Sequence, residues 1–575
     1  MGVCNSYPDA GLSVETTYTS TVSAYDTVGN ESKHSLLIFA TTQVASSVPP
    51  IFPGAEGFGT TTPAGSGRHL SPVNTTVYKV TNLDAYGSGS LRECIDASGP
   101  RVCVFEVAGT IEINDALFIR NPYITIAGQT APSPGITLKG ATLIINTHDI
   151  LVQHLRIRVG DGPGYHPDDR DGIEIQNEGG IRDVYNVVID HCSVSWAIDE
   201  SIELWYDGVR DVTISNSIIS EALHDSLHSK GPHSKGLLIG KHVKRVSVHH
   251  SLLAHNHDRN PLIQASTETE LVNNVYYNCG PWGFTVFSDN YILEIPIFSN
   301  VIGNYYKRGI DGPDGKAIQV ESNLTQKSKF YVEGNIGPGR QSDTEDDWSI
   351  VTGNEAIYRS FTPIVTRSVL TTNSAWEAYG FVLNHAGARP ADRDSVDIRI
   401  LNDVQNGTGR IINSQDEVGG WPDLSQNYRV LTLPSNPNSD NDGDGYTNLE
   451  EWLHAFAAEI EGYGFILNAI PSVTAIAPGS VATYTISIEP VGSFTATVNL
   501  STANLSPSLS LGLHPTTVTP LDQATLTVTD THTGTLLSGL WYIVPITATG
   551  GGSVRTTGVR LLVGGERVYL PLVVH

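Results

Sequence analysis

A short strand pattern recurs along the first half of the chain at intervals of about 25 or about 35 residues. Each copy has alternating apolar residues, then Asn, His or Ser where the chain turns, and then a second short apolar strand. The copies are YITIAG at 123, ILVQHL at 150, VVIDHCSVS at 187, VTISNSIIS at 212, VSVHHSLLAHN at 246, LVNNVYYN at 271 and IFSNVIGN at 297. Such a period is typical of a solenoid, in which equivalent positions of successive coils stack about 4.8 Å apart.

This repeat predicts a right-handed parallel β-helix. The alternative is a β-sandwich of ordinary strands, but sandwich strands recur at roughly 8 to 12 residues without a longer period. Charged residues make up only 16% of the chain, whereas Gly, Val, Ile, Thr and Ser are abundant, which favours a mostly β protein.

The net charge of −26 limits the partners of the chain. It repels polyanions, so we expect no nucleic-acid partner. An acidic polysaccharide could be bound only through a local cationic patch or a bridging metal ion. No apolar run reaches the roughly 18 to 20 residues of a membrane span, so we expect none.

Composition and pattern divide the chain into five segments. Residues 1–48 include TTYTSTVSAYDTVGNESKHS, which resembles the closing strands of a fibronectin type III domain. Residues 49–430 carry the repeat. Residues 431–465 hold an acidic loop and a helix, and residues 466–565 predict an immunoglobulin-like β-sandwich from short strands separated by Pro/Gly turns. Residues 566–575 form an apolar tail.

No signal peptide is visible, yet the fibronectin-like start favours a piece of a longer secreted protein, which we expect to be extracellular and monomeric.

Two stretches follow the clear repeats. SAWEAYGFVLNHAGA at 374–388 predicts a short helix. RDSVDIRILNDVQNGTGRIINSQDEVGGWP at 393–422 is interpreted as an extended tail wrapped over the coil.

Five cysteines are too few for a dense disulfide framework and lack the C-x-x-C spacing of zinc sites. Cys94 and Cys103 could pair locally. Free buried thiols are an equal alternative, because Cys is among the most buried residue types.

Asp199 and Glu203 lie four residues apart in the largely apolar stretch AIDESIELW at 197–205, where they repel each other when both are ionised. On the repeat, Asp171 lies about one coil before Asp199 and Glu203, whereas Lys235 and Arg259 follow in the next coils. Stacking would gather these side chains on one wall. Three carboxylates from adjacent coils form an all-oxygen site that suits a hard cation such as Ca²⁺. The alternative is a solvated acidic loop.

A second calcium pattern lies outside the repeat. DNDGDGYTNLEE at 440–451 fits the twelve-residue loop of an EF-hand, with Gly445 at the turn. The predicted ligands are Asp440, Asp442, Asp444, the carbonyl of Tyr446, Asn448 and Glu451. Because the sequence contains one such loop, we expect a structural clamp between the repeat and the sandwich rather than a sensor.

The loop HDSLHSKGPHSKG at 224–236 could hold a transition metal through its histidines. We expect His224, His228 and His233 to be solvated instead, because no strong partner is evident. His191 lies at a turn of the repeat, where stacking or hydrogen bonding is the expected role.

Several motifs together resemble the pectate lyases of polysaccharide lyase family one. They are FPGAEGFG at 52–59, YKVTNLDAYGSGSLRECIDASGPRVCVFEVAGTI at 78–111, PYITIAGQTAPSPGITL at 122–138, VVIDHCSVSWAIDESIEL at 187–204 and RNP at 259–261. The resemblance covers roughly residues 50–430. It implies the parallel β-helix fold, Ca²⁺ as cofactor and an acidic plant cell-wall polysaccharide, polygalacturonate or pectin, as substrate.

The resemblance also assigns roles to residues. By family position, Asp171, Asp199 and Glu203 bind calcium, Asp169 is auxiliary, Lys235 binds substrate and Arg259 opens the R-x-P motif. The implied reaction is β-elimination of a 1,4-linked galacturonan, with Arg259 as the base and Lys235 as the rival base. Many members continue the motif as R-x-P-R-x-R, whereas this chain has Leu262 and Gln264, so two cationic substrate contacts are absent.

Two other functions are compatible with the repeat. A polygalacturonase-type hydrolase would need acids that protonate a leaving group and activate water, for which Asp168 and Asp169 offer a pair. A non-catalytic glycan-binding or adhesin protein would use the acids on the wall only for structural calcium.

Overall fold

The computed structural model describes residues 17–20, 38–41, 48–205, 207–281, 283–366, 368, 370–462, 464–471, 473–491, 497–502, 506–520, 522–534, 536, 539–550 and 553–564. Residues 1–49 form one compact unit and residues 50–575 another. In the first unit, strands Thr17–Ser20 and Ile38–Thr41 pair antiparallel. Most of the fibronectin-like segment and the whole apolar tail lie outside the described residues.

Three parallel sheets form the body of the second unit, and each complete coil contributes one strand to each sheet in turn. Within the described residues, sheet 1 has eleven strands: Thr76–Val80, Arg101–Phe105, Ile124–Ala127, Ile150–Gln153, Tyr185–Asp190, Arg210–Ser215, Lys244–His249, Glu268–Val272, Phe298–Ile302, Lys329–Glu333 and Arg359–Ser360. Sheet 2 has eight there: Gly109–Glu112, Ile136–Lys139, Leu155–Arg158, Ser193–Ser195, Ile218–Ser220, Leu252–Ala254, Val275–Tyr277 and Tyr305–Lys307. Sheet 3 also has eight there: Leu117–Ile119, Leu143–Ile145, Ile173–Gln176, Glu200–Trp205, Lys235–Ile239, Leu262–Gln264, Thr285–Ser288 and Ile318–Val320. The predicted parallel β-helix is confirmed.

The alternating apolar residues of the repeat line the inside of the coil. Val152, Ile189 and Ile214 lie in register on adjacent strands of sheet 1, and all three are fully buried. Each fully buried aliphatic side chain contributes about 1.5–3 kcal/mol relative to exposure. Stacked coils therefore build one continuous core from a pattern that no single coil could bury alone.

The Asn at the turns forms a ladder that fixes the coils against each other. Side-chain amides of Asn274, Asn304 and Asn335 donate to carbonyls of the preceding coil, at 2.8–2.9 Å. The side-chain oxygens of Asn304 and Asn335 accept the backbone N–H of the equivalent Asn one coil earlier. Each Asn thus satisfies polar backbone groups that the turn would otherwise bury without partners.

Helices close the coil at its start and along its sides. Helix α1 (Leu91–Asp96) packs into the core, and a disulfide between Cys94 and Cys103 ties it to sheet 1, which decides between the two expectations for these thiols. Helix α2 (Glu355–Tyr358) lies at the far end. Short 3₁₀ turns occupy Ala64–Ser66, Gly128–Thr130, Pro167–Asp169, Asp347–Ile350 and Gln415–Val418.

Two longer helices cover the outer face of sheet 2. The predicted helix at 374–388 is present as α3 (Ala375–His385), whose Ser374 and Glu377 form a capping box. The interpretation of 393–422 as extended is wrong in part, because Ser395–Asn406 form α4. Val396, Ile400 and Val404 recur every four residues and pack against sheet 2, a helical period that was overlooked.

Helix α5 (Asn448–Gly462) packs on the outer face of sheet 1, where Leu449 and Leu453 contact Val102 and Val104. Beyond it, Gly464–Ile470, Val481–Val491, Gln523–Asp530 and Leu509–His514 form one sheet. Val473–Ile476, Ser553–Val563, Leu540–Gly550, Val498–Thr502 and Thr517–Val518 form a second. Their buried faces share one apolar core, so the C-terminal β-sandwich is confirmed. Among the helices of the described residues, none combines the length and the apolar character needed to cross a membrane.

Candidate functional site

The acids and cations singled out from the sequence meet on the outer wall of sheet 3. Three neighbouring strands of this sheet, Ile173–Gln176, Glu200–Trp205 and Lys235–Ile239, run parallel. Their register places Glu174 opposite Glu203, and Glu200 opposite Lys235. Side chains from different coils therefore come together because the coils stack.

Five carboxylates form the centre of this wall. Asp171, Glu174 and Glu203 each place an oxygen within 4.8 Å of the others, and Asp171 does the same with Asp199 and Glu200. Asp171 and Glu200 are buried, and a carboxylate oxygen of Asp171 accepts the backbone N–H of Glu200 at 2.7 Å. The two groups share Asp171 and form one continuous cluster of oxygens.

Burial and mutual repulsion raise the pKa values of three carboxyl groups in this cluster. Burial raises the pKa of Asp171 well above its ordinary value, and the charges of Glu203 and Asp199 add to the effect. Burial and the charge of Glu174 likewise raise the pKa of Glu203. Burial raises the pKa of Glu174 to about 7, despite a hydrogen bond from Gln176. A hard cation, which prefers oxygen ligands, would relieve the repulsion between these carboxylates. The donor set therefore fits Ca²⁺.

Asp199 differs because two histidines face it. His233 Nε2 lies 2.8 Å from one carboxylate oxygen, and His228 Nε2 lies 3.5 Å from the other. Burial raises the pKa of Asp199, but the hydrogen bond and charge of His233 and the charges of His228 and Arg259 outweigh it and lower the pKa.

The expectation of solvated loop histidines is wrong. His228 is buried and stacks on His233 at 3.7 Å, and the side chain of His233 is only 11% exposed. His224 stacks on His257 at 4.1 Å. The loop folds back over the wall, so these histidines find partners on other coils that their own sequence neighbourhood does not reveal.

Arg259 contacts the carboxylate cluster directly. Its Nη1 forms an ion pair with Glu200 Oε1, and its side chain is 23% exposed. Burial lowers the pKa of Arg259, although the charges of Asp199 and Asp171 oppose this. Lys235 instead pairs with Asp258, with Nζ at 2.6 Å from Oδ2. The guanidinium of Arg259 therefore contacts the carboxylate cluster, whereas the ammonium of Lys235 is paired with Asp258.

Curated relatives of the chain share most of its length. It is 33% identical over 447 residues to a probable pectate lyase C of Aspergillus flavus, covering 73% of this chain and 96% of that protein. A probable pectate lyase C of Aspergillus fumigatus is 34% identical over 410 residues, 70% of this chain and 86% of the relative. The chain belongs to the pectate lyase family. No family model matches the sequence.

The recognised resemblance to pectate lyases, a family of polysaccharide lyases, is thereby confirmed. Among solved structures, the chain is similar to a Bacillus subtilis pectate lyase mutant, with a TM-score of 0.42 and 15% identity, over 60% of this chain and 99% of that one.

Two members of the cluster in this pectate lyase were missed in the sequence. Glu174 lies in DGIEI, where it takes an outward position opposite Glu203, and Glu200 follows Asp199 directly. For Glu174 the signal was the strand alternation itself, because it lies between the buried Ile173 and Ile175. Alternation gave no such signal for Glu200, which has the same parity as the buried Ile202. Asp169 takes a different place: its side chain is 67% exposed and lies 3.5 Å from His166. It still contributes charge that raises the pKa of Asp171.

The wall beyond Arg259 is apolar. Leu262, which stands where many members carry arginine, packs with Leu238 and Val286. Gln264 is buried and accepts the backbone N–H of Lys241 at 3.2 Å. The departure from R-x-P-R-x-R therefore replaces two cations with packed, largely buried side chains.

The EF-hand-like loop lies at the start of α5. Carboxylate oxygens of Asp440, Asp442 and Asp444 come within 4.8 Å of one another. Desolvation and the charges of these three acids raise the pKa of Glu451.

The side chains of two other predicted ligand residues of this loop have partners elsewhere, but the predicted ligand atom of Tyr446 is its backbone carbonyl, which the ring contact does not involve. The Tyr446 ring is buried and packs against His454 at 4.9 Å. The Asn448 side-chain amide donates to the carbonyls of Ser435 and Asn436. The four acids therefore carry most of the negative charge of this second candidate site.

Proposed function

We propose that this protein is a secreted, Ca²⁺-dependent pectate lyase that cleaves 1,4-linked polygalacturonate by β-elimination. The observation that carries the proposal is an arginine held against a buried cluster of carboxylates from adjacent coils, with Arg259 paired to Glu200. The names of the relatives support pectate as the substrate class.

The cluster supplies oxygen donors alone, which suits Ca²⁺. The residues that would hold the ion are Asp171, Glu174, Asp199, Glu200 and Glu203. Bound Ca²⁺ supplies positive charge that draws electrons from the C6 carboxylate of the substrate and makes the neighbouring C5 proton more acidic.

Arg259 is the proposed base that accepts the C5 proton at a guanidine nitrogen. The electron pair left at C5 forms the C4–C5 double bond as the C4–O glycosidic bond breaks, and the departing oxygen takes a proton from solvent. Free guanidinium has a pKa above about 12, so an arginine base needs a lowered pKa. Burial supplies this at Arg259. Lys235 is the rival base, but its contact with Asp258 suits a cation that holds a substrate carboxylate. An arginine base predicts elimination that becomes faster towards alkaline pH.

The hydrolase alternative depended on Asp168 and Asp169. Asp168 accepts the backbone N–H of Ser229 at 2.7 Å, and hydrogen bonds from Ser229 lower its pKa. An acid held in the ionised form is a poor proton donor to a leaving group. Lyase chemistry is favoured for this reason.

Two further parts of the proposal concern the secretion of the enzyme and the division of its chain into modules. The Cys94–Cys103 disulfide is typical of oxidising compartments and supports secretion. We also propose a modular chain, with the lyase at 49–430, a calcium-clamped linker at 431–465 and an accessory sandwich at 466–565.

The test compares Arg259→Ala with Arg245→Ala, which removes an arginine that pairs with Asp211 on a different sheet. Wild type should convert polygalacturonate into unsaturated uronides, detected by ultraviolet absorbance, only in the presence of Ca²⁺. Arg259→Ala should lose about 10²–10⁴-fold in rate, with unchanged circular dichroism and calorimetric Ca²⁺ binding. Arg245→Ala should retain activity.

Three results would contradict the proposal. Near-normal turnover in folded Arg259→Ala would remove this residue from the catalytic role. Reducing ends without ultraviolet absorbance would indicate hydrolysis. Binding to pectate without any cleavage would indicate a glycan-binding protein.

A further inference from the structure

A second group of metal-ligating side chains lies away from the carboxylate wall. His154 and His191 follow the ends of adjacent strands of sheet 1, Ile150–Gln153 and Tyr185–Asp190, and Asp190 ends the second strand. Glu461 comes from the last turn of α5. One ligand atom of each residue lies within 4.8 Å of the others.

The hydrogen bonds of His154 leave an unmatched contact in this group. The residue is fully buried, and its Nδ1 lies 2.8 Å from the Ala388 carbonyl oxygen while its Nε2 lies 3.1 Å from Glu461 Oε1. A neutral imidazole carries one N–H and can match only one of these two acceptors. Both contacts are satisfied only if a second proton or a metal ion lies between Nε2 and Glu461.

The same group concentrates negative charge at His191. Its Nδ1 lies 2.8 Å from Asp190 and 3.7 Å from Glu461. The position between the two carboxylates therefore favours a cation.

Neighbouring groups hold the candidate ligands in place. Asp190 accepts hydrogen bonds from Gln153 Nε2 at 3.0 Å, Ser215 Oγ at 2.7 Å and Asn216 Nδ2 at 3.0 Å. Histidines that bind metal usually donate their other ring N–H to a carbonyl or a carboxylate, as the Ala388 carbonyl allows for His154.

We propose that His154, Asp190, His191 and Glu461 bind one divalent transition-metal ion, of which Zn²⁺ fits best. Two imidazole nitrogens and two carboxylate oxygens are ligands that Zn²⁺ accepts in tetrahedral geometry. With bonds of about 2.0–2.1 Å, tetrahedral ligand atoms lie about 3.3 Å apart. Three of the six separations between the ligand atoms are 2.8, 3.1 and 3.7 Å, on either side of this value, and all six are within 4.8 Å.

The site has a structural consequence that does not depend on lyase activity. Glu461 is separated by 307 residues from His154, and the ion would join the end of α5 to the coil. The acidic EF-hand-like loop lies at the start of the same helix. Helix α5 would thus be held by the proposed calcium loop at its start and by the proposed transition-metal ion at its end.

The test uses the full chain, stripped with a chelator and titrated with Co²⁺ as a spectroscopic probe. Wild type should bind one equivalent with the intense visible absorption of four-coordinate Co²⁺, and Zn²⁺ should displace it. Glu461→Gln and His154→Ala should weaken Co²⁺ binding at least about tenfold. Glu461 is partly exposed, so its conservative variant should fold as wild type does, which circular dichroism checks.

His228→Ala is the matched control, because it removes a ring from the other histidine group, beside Asp199. It should leave the visible Co²⁺ absorption unchanged. The proposal is overturned if wild type binds no Co²⁺ in this form, since a second proton on His154 then explains the contacts. It is also overturned if His228→Ala abolishes the absorption or folded Glu461→Gln retains it fully.

Discussion

Glu174→Gln is a sharp test of the carboxylate wall, because sequence reasoning missed this residue. Burial raises the pKa of Glu174 from 4.5 to about 7. At pH 7 without metal the side chain is therefore about half protonated, and a cation bound beside it should displace that proton. We expect Ca²⁺ binding at pH 7 to release about half a proton more in wild type than in Glu174→Gln.

The same shift predicts a change in stability. A carboxyl whose pKa is higher in the folded state disfavours folding once it ionises, so the penalty grows as pH rises from about 4.5 to about 7. At about 1.4 kcal/mol per pH unit, the full penalty above pH 7 is about 3 kcal/mol. In Ca²⁺-free buffer at pH 8, Glu174→Gln should be more stable than wild type by up to this amount, and at pH 4 the two should be equal.

Calorimetry in buffers of different ionisation enthalpy measures the released proton, and denaturant titration with and without a Ca²⁺ chelator measures the stability. Glu333→Gln, at an exposed position of sheet 1, is the control and should change neither quantity. Saturating Ca²⁺ should remove the stability advantage of Glu174→Gln. Equal proton release in both proteins, or no stabilisation at pH 8, would show that Glu174 is not part of a shared cation site.

Three further variants test other parts of the molecule. Asp199→Asn should raise the Ca²⁺ concentration for half-maximal elimination by about tenfold or more, and an unchanged requirement would remove it from the ligands. Asp440→Ala combined with Glu451→Ala should speed proteolysis at residues 430–465 in Ca²⁺. Its initial rate on polygalacturonate should stay within about twofold, or about 0.4 kcal/mol; a large loss of rate without faster proteolysis would contradict the structural role. Arg158→Met should lower the free energy of unfolding by about 3–5 kcal/mol in denaturant titration, because it leaves the buried Asp397 without its cation and Asp394 with only its longer contact to Arg156. A loss below about 1 kcal/mol would refute that reasoning.

The fold class was predictable because its information is local and repeated. Each coil carries its own alternation and its own turn residue, so a period visible in the sequence translates directly into stacked strands. Asn274, Asn304 and Asn335 show this well, since each occupies the same turn position and makes the same bonds. Helix α4 was missed because its four-residue period was outweighed by the polar and Gly-rich stretch that follows it.

The candidate site was predictable only in outline. The repeat spacing predicted that Asp171, Asp199 and Glu203 lie on one wall, where the structure has them. Their roles as calcium ligands stay a prediction. The sequence did not identify Glu200 as the partner of Arg259, because the coils have unequal loops and their register cannot be counted from the sequence.

The sequence by itself determined the solenoid, three of the acids on its wall and the family, since these depend on patterns within one coil and on contiguous motifs. Only the tertiary structure decided which distant groups meet. His233 reaches Asp199 through a folded-back loop, and Glu461 reaches His154 across 307 residues. Such contacts depend on how loops and helices pack on the coil, and packing is set by the whole surface rather than by any local pattern.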